Sequence, residues 1–299
     1  MMQSVPVKKF ACAALLVIHT GCASIGVSSR SQDTADLGEV AADIQALAEV
    51  VGRDEVLAVF DIDNTLLAME QSLGSDQWYE WQKETTEQEP CDHRLVSNRL
   101  AVQGAMYFAS AMRPTQPNGP EIIRSIQDSG IRVIALTSRG VDFRLQTFRE
   151  LRRSGFDLRR SAIGPEAGWD EDFIPVNGIR PARYEDGVFL TTGQHKGAML
   201  EALLNRTNTP LPGAVIMVDD KQANLDAVTE TFSNQGVPVH AWLYHAEEEA
   251  VSGFDADGSH EMWQQLLPAM QTIQRVLGPD NYELPAHNAV EDCSAAQDG

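Results

Sequence analysis

A chain of 299 residues, 43% hydrophobic and 22% charged, has ordinary globular composition and material for one large or two modest domains. Its net charge of −20 argues against wrapping a long polyanion such as DNA, because affinity there comes from phosphate neutralisation by Lys and Arg. Small phosphate esters stay within reach, since a metal ion and one or two basic side chains supply a local positive site.

The first element in chain order has the layout of an export signal. Lys8 and Lys9 make a positive start, an apolar run over 10–18 follows that is too short to span a bilayer, and Gly21, Cys22, Ala23 and Ser24 are small. This ending resembles the lipobox of bacterial lipoproteins, which implies lipidation at Cys22 and a membrane attachment through that residue alone. His19 departs from the pattern, which has an aliphatic there, and Ala23 in place of an Asp fits the outer-membrane-directed form. The expected address is therefore the periplasm or outer membrane. Loss of residues 1–21 removes two lysines and no acid, leaving −22.

Residues 22–36 are small and polar and read as a tether, and 37–51 shows apolar residues at helical spacing. Short aliphatic runs then recur at 56–60, 132–136, 214–218 and 237–243, separated by stretches of helical periodicity. This is the pattern of a parallel sheet buried on both faces, and it predicts a doubly wound, Rossmann-like α/β core with ligands beyond the carboxyl ends of the strands. The stretch 67–111, with Trp78, Tyr79, Trp81 and a helix over 96–111, is too long for a simple crossover and is expected to form a mainly helical cap. Its aromatic residues either stack on an organic leaving group or pack the cap. The core is then 37–66 and 112–278. A second excursion covers 164–194, with a hairpin turning at Asp186-Gly187. The polar tail 279–299 is expected to be disordered.

With Cys12 in the signal and Cys22 lipidated, Cys91 and Cys293 remain; in an oxidising compartment they can pair, or Cys293, in a polar tail, is an unpaired or dispensable thiol. No spacing of Cys and His resembles a zinc site.

The chemistry-bearing residues sit at the ends of the aliphatic runs. Asp61 and Asp63 lie two residues apart directly after the first run, where both can reach one point, as a nucleophile and a proton donor require. Magnesium prefers oxygen ligands, so the Asp61 carboxylate, the Asp63 backbone carbonyl and a distant acid suffice to hold it. Asp219 and Asp220, after the third run, supply that acid. Thr137 and Ser138 end the second run and offer a hydroxyl and several amides to phosphate oxygens. Lys196 precedes a predicted helix, and its ammonium can balance the carboxylates and hold a phosphoryl group. Lys221 is a second candidate for that role, whereas His195 reads as a bystander.

These four clusters, in this order, resemble the four motifs of the haloacid-dehalogenase-like superfamily over most of the chain from 56 to 243. The resemblance implies Asp61 as nucleophile, Asp63 as general acid and base, Thr137 as the phosphate-binding hydroxyl, Lys196 as the third-motif lysine, and Asp219 with Asp220 as the acidic motif. An acid at position 63 points to phosphoryl transfer rather than carbon–halogen cleavage. An exported, capped member resembles the secreted acid phosphatases of bacteria, and the runs 137–140 and 218–221 resemble an uncharacterised bacterial branch of the superfamily. The implied activity is magnesium-dependent hydrolysis of a small phosphorylated substrate, with phosphotransfer or a non-catalytic interaction role as alternatives.

Nine arginines between Arg124 and Arg160 suggest an anion-binding stripe. Leu145, Phe148 and Leu151 at helical spacing assign Arg149, Arg152 and Arg153 instead to a solvated face. Arg139, beside Thr137, can reach substrate. Asp255-Ala256-Asp257-Gly258 has its glycine too early for a calcium loop, and that reading is rejected.

Overall fold

The computed structural model describes residues 27–165 and 168–278. The signal and lipobox, with Cys12 and Cys22, and the tail with Cys293 lie outside the described residues. In chain order the first elements are strand β1 (Arg30–Thr34), helix α1 (Leu37–Val51), β2 (Val56–Phe60), β3 (Leu67–Met69), α2 (Asp76–Gln88), α3 (Arg99–Ala109), β4 (Met112–Pro114), α4 (Gly119–Asp128) and β5 (Arg132–Thr137). There follow α5 (Arg144–Arg153), β6 (Arg183–Glu185), β7 (Val188–Leu190), α6 (Lys196–Arg206), β8 (Ala214–Asp219), α7 (Gln222–Ser233), β9 (Val239–Tyr244), α8 (Glu248–Ser252) and α9 (Ala256–Leu277).

Seven strands form one sheet in the order β1-β9-β8-β2-β5-β7-β6, parallel throughout except for β6 against β7. The aliphatic runs are buried on both faces because alternate side chains enter two different cores. On β2, Val56, Ala58 and Phe60 join the core that holds Ile44 of α1 and Ile123 of α4. Leu57 and Val59 join the other, with Leu200 of α6 and Val228 of α7. The expected doubly wound α/β fold is present. Strand β2 is central, with β8 on one side and β5 on the other, so the chain's direction of travel reverses across it and a crevice opens beyond its carboxyl end.

Two boundaries read from sequence are corrected. Residues 30–34 of the expected tether form β1, an edge strand paired with β9. Four of its five side chains are exposed, so no apolar run marks it. The strand is held by its backbone ladder and by Arg30, which pairs with Asp43 of α1. Asp43 also accepts from Trp242 Nε1 at 2.9 Å and lies 3.0 Å from His240 Nδ1.

The second correction concerns the cap. Helix α9, assigned from sequence to the core at 112–278, packs Trp263, Leu267 and Met270 against Leu73, Trp78, Val102 and Met106. An apolar stripe at helical spacing announces a buried face without naming its partner. Trp78 is thus packing material, and Trp81 rests against Phe254 under the guanidinium of Arg94. Where the chain leaves and re-enters the core, β3 and β4 pair antiparallel as a short stalk. Asp255 caps the N-terminus of α9 by accepting from Gly258 N, which accounts for the Asp-rich stretch without calcium.

The hairpin turns at Asp186 and Gly187, both at positive φ, as a two-residue type I′ turn requires. Helix α5 departs from expectation. Leu145 is 71% exposed, and the buried positions are Thr147, Glu150 and Leu151. Glu150 accepts from Met112 N at 2.8 Å. Arg149, expected on the solvated face, donates to the carbonyls of Tyr107, Phe108 and Ser110 and so satisfies the C-terminal end of α3. Polar side chains are buried here because neighbouring backbone groups need partners.

Cys91, in the cap, is disulfide-bonded, and the other three cysteines all lie outside the described residues.

Candidate active site

Asp61 follows β2 and Asp219 ends β8, two adjacent parallel strands whose register, with Asp61 N donating to Val218 O at 2.9 Å, aligns their carboxyl ends. Lys196 bridges them. Its Nζ donates to Asp61 Oδ1 and to Asp219 Oδ2, both at 2.6 Å, and the side chain is fully buried. The lysine reaches this point because α6 starts deep in the fold. A Cβ at Gly197 would lie 2.1 Å from Ala227 O and 2.2 Å from Thr231 Oγ1, so only glycine lets α6 close on α7 there. His195 caps the helix by accepting from Ala198 N.

Charge is crowded around this bridge. Burial disfavours the Lys196 ammonium, yet Asp219 and Asp61 hold its pKa above the ordinary value, so it stays charged. For Asp61, burial outweighs Lys196, and with the nearby Asp219 and Asp63 carboxylates it pushes the carboxyl up to about 7. Asp220 is pushed up to about 9, by burial and then by Asp61, Asp76 and Asp219. One oxygen from each of Asp61, Asp219 and Asp220 lies within 4.8 Å of the others. Asn64, in a left-handed turn at φ 54°, donates Nδ2 to Asp220 Oδ2 at 3.3 Å, and Asp220 Oδ1 is buried without a partner among the described residues. Asp219 Oδ1 accepts from Lys221 N and Asn224 Nδ2, each at 2.9 Å. An all-oxygen set with a free buried oxygen fits a hard cation such as magnesium.

Two residues further on, the Asp63 side chain stands apart from that trio. Its carboxylate accepts from Arg139 Nε at 2.9 Å and a terminal guanidinium nitrogen at 2.8 Å, and from Tyr107 Oη at 3.1 Å. Burial opposes the charge, but Arg139, with help from Tyr107, holds Asp63 below the usual carboxylate range. Arg139 is not free to reach substrate, which corrects the expectation. It is buried, donates to Thr147 Oγ1 at 2.9 Å, and lies over the Tyr107 ring at 4.5 Å. The fork of donors matches the carboxylate it faces, so the pairing satisfies both groups.

Thr137 ends β5 beside β2, fully buried, with Oγ1 accepting from Arg139 N at 3.1 Å, whereas Ser138 is exposed. A strap braces this turn: Thr192 N donates to Arg139 O and Gly193 N to Ser138 O. Thr192 holds a left-handed φ of 55°, a costly conformation for a β-branched residue. Lys221, the alternative to Lys196, is engaged elsewhere. Its Nζ lies 2.9 Å from both Asp76 Oδ2 and Glu80 Oε1 of cap helix α2.

All the residues read from sequence as catalytic or metal-binding therefore meet at one edge of the sheet. Sequence reading passed over Asn64, Asn224, Tyr107, Asp76 and Glu80. Asn224 sits one turn after Asp219 and could have been sought there. Tyr107 lies in the apolar stripe of α3, where a buried phenol needs a polar partner.

Residues 33–273 match the family described as protein of unknown function (DUF2608). The chain belongs to that family. The DUF2608 match runs from within β1 to within α9 and so takes in core, cap and site together. A protein of Chlamydia pneumoniae described as a "Putative outer membrane protein" is 23% identical over 232 residues, spanning 76% of this chain and 81% of that protein.

Proposed function

We propose that this DUF2608 protein is a magnesium-dependent phosphomonoesterase, similar to the haloacid-dehalogenase-like enzymes, that acts on small organic phosphates through an aspartyl-phosphate. The observation that carries the reading is the Asp61–Lys196–Asp219 bridge beside Asp220, in the crevice beyond β2. Asp61, Asp219 and Asp220, with the Asp63 carbonyl, would hold the cation, which when bound offsets the carboxylates and polarises phosphoryl oxygens. The Asp61 carboxylate attacks phosphorus as the ester oxygen leaves; Asp63, which first takes up a proton against the hold of Arg139, gives it to that oxygen and then, as the carboxylate, takes one from the incoming water. Lys196 and the Thr137 turn stabilise charge on the transferring group.

We also propose that the protein is exported and associated with the outer membrane. Supporting this are the signal at Lys8, Lys9 and 10–18, the lipobox at Cys22, the disulfide at Cys91 and the description of the chlamydial relative.

Release of inorganic phosphate from a panel of esters, with and without magnesium, tests the activity. Turnover that survives exhaustive chelation would exclude the metal, and a folded protein that hydrolyses no ester would exclude the enzyme. The same assay with an added alcohol acceptor tests the alternative, phosphotransfer through the same residues.

A further inference from the structure

Outside the site, one surface of this acidic molecule is basic and partly apolar. Helix α5 lines a groove of ≈ 440 Å³ with Arg144, Leu145, Phe148, Arg149, Arg152 and Arg153, and the β6–β7 turn closes it with Glu185 and Asp186. A second groove of ≈ 500 Å³ continues past Phe148 and Arg152 toward Arg159. Leu145, Phe148 with Arg149, and Arg152 recur at three- and four-residue steps, so they form one outward stripe. Leu145 is 71% exposed, and Phe108, 70% exposed, lies beneath the Arg149 guanidinium at 6.0 Å. Arg144 is engaged by Glu185, and Arg149 and Arg153 by the buried Glu150. Arg152 is exposed and has no carboxylate partner among the described residues. It stands on the ridge between the two grooves.

We infer that this face docks on an anionic lipid surface. The charge pattern selects that occupant. A chain of net charge −20 is repelled by an anionic bilayer in most orientations, and an arginine-rich face lets it approach in one. Guanidinium groups pair with lipid phosphates through paired N–H donors. Exposed Leu145 and Phe108 beside those arginines give the apolar contribution that interfacial binding needs, at the boundary between headgroups and acyl chains. The contact requires neither the lipid anchor nor the activity proposed above. It would set how the body of the protein faces a membrane.

The test is vesicle flotation of the full chain carrying Cys22→Ser, so that no acyl chain contributes, with phosphatidylcholine vesicles compared with vesicles rich in phosphatidylglycerol. The parent should float with the anionic vesicles and fall away as salt rises past physiological strength. A basic residue near an anionic leaflet is worth about fivefold in partition, so Arg152→Glu with Arg153→Glu should lower it about thirtyfold or more. Leu145→Asp, on the same stripe but outside the ion pairs, gives a second reading should the charge reversals disturb the fold, which thermal melting reports. Equal binding to both vesicle types, or binding unchanged in both variants, would overturn the inference. So would a parent that ignores vesicles while the same arginines crosslink to an acidic protein.

Discussion

The two sides of the crevice beyond β2 treat their carboxylates in opposite ways. Toward β8, Asp61 and Asp219 share one ammonium with Asp220 beside them, and burial with mutual repulsion pushes Asp61 up to about 7 and Asp220 up to about 9. Toward β5, Asp63 has the Arg139 fork and the Tyr107 phenol to itself and is held below its ordinary range. Two aspartates separated by one residue thus sit in an under-neutralised and a well-neutralised half-site. The first half leaves Asp220 Oδ1 buried without a partner among the described residues, which the proposed cation would supply. The second is complete and holds its carboxylate in a fixed orientation.

The strongest way to break this comparison is to ask which half bears the covalent step. Asp61→Asn should lower phosphate release on the order of 10⁴–10⁶-fold and leave no acid-stable phosphoryl adduct. Asp63→Asn keeps the nucleophile and should cost about 10²–10⁴-fold in steady turnover. With an aryl phosphate, whose leaving group needs little protonation, the phosphoenzyme should accumulate. Intact-mass analysis of acid-quenched protein would show it, and an adduct mapping to Ser138 or His195 would mean that the nucleophile is misassigned.

Stability in metal-free buffer sharpens the contrast without any substrate. Between its ordinary 3.8 and about 7, the folded Asp61 holds a proton that the unfolded chain has lost, so its contribution to stability declines as pH rises through that window. Asp63 has the opposite sign. Its lowered folded value means that its contribution is present above the unfolded pKa and lost as pH falls through the folded one. Each group can alter the slope by at most about 1.4 kcal/mol per pH unit. In chelator at pH 8, Asp61→Asn should therefore melt higher than the parent. Asp63→Asn should melt lower, with a loss of stability of about 3 kcal/mol, because it leaves the buried Arg139 without its carboxylate partner. If both variants shifted the same way, the two half-sites would not be electrostatically distinct. Magnesium should raise the parent's melting temperature and have little effect on Asp61→Asn.

The legible parts of the molecule were those with a local signature. Strands β2, β5 and β8 are continuous aliphatic runs ending in polar clusters, and their order and burial carried both the fold and the acids at its edge. Lys196 was findable because it opens a helix. Strand β1 was illegible because its side chains face water and only its backbone pairs. The alliance of α9 with the cap joins stripes far apart in sequence, and nothing local to either reveals it. Arg139 shows the limit most clearly: its position beside Thr137 was informative, but its direction, inward onto Asp63, depends on Tyr107 from the cap. Charge and spacing locate a functional residue, whereas its partners are a tertiary property.

Tyr107→Phe should give the smallest effect and the finest test of that tertiary link. The phenol donates to Asp63 Oδ1 at 3.1 Å, and burial together with Asp63 keeps its own pKa well above the ordinary value, so it is a donor throughout the working range. Removing the hydroxyl deletes one hydrogen bond to a charged group, typically about 1.5–3 kcal/mol, while the ring stays under the Arg139 guanidinium and the two-pronged Arg139–Asp63 pairing is untouched. Part of that loss returns when Arg139 draws closer, so turnover should change about tenfold or less, in kcat rather than KM, since the phenol contacts Asp63 and not the crevice beside Asp220. The informative quantity is the coupling to Asp63. In a double-mutant cycle, Tyr107→Phe should matter in the parent and have almost no further effect on Asp63→Asn. Independent, additive losses would show that Tyr107 acts only by packing against Phe143 and the rest of the core, and that the cap does not orient Asp63.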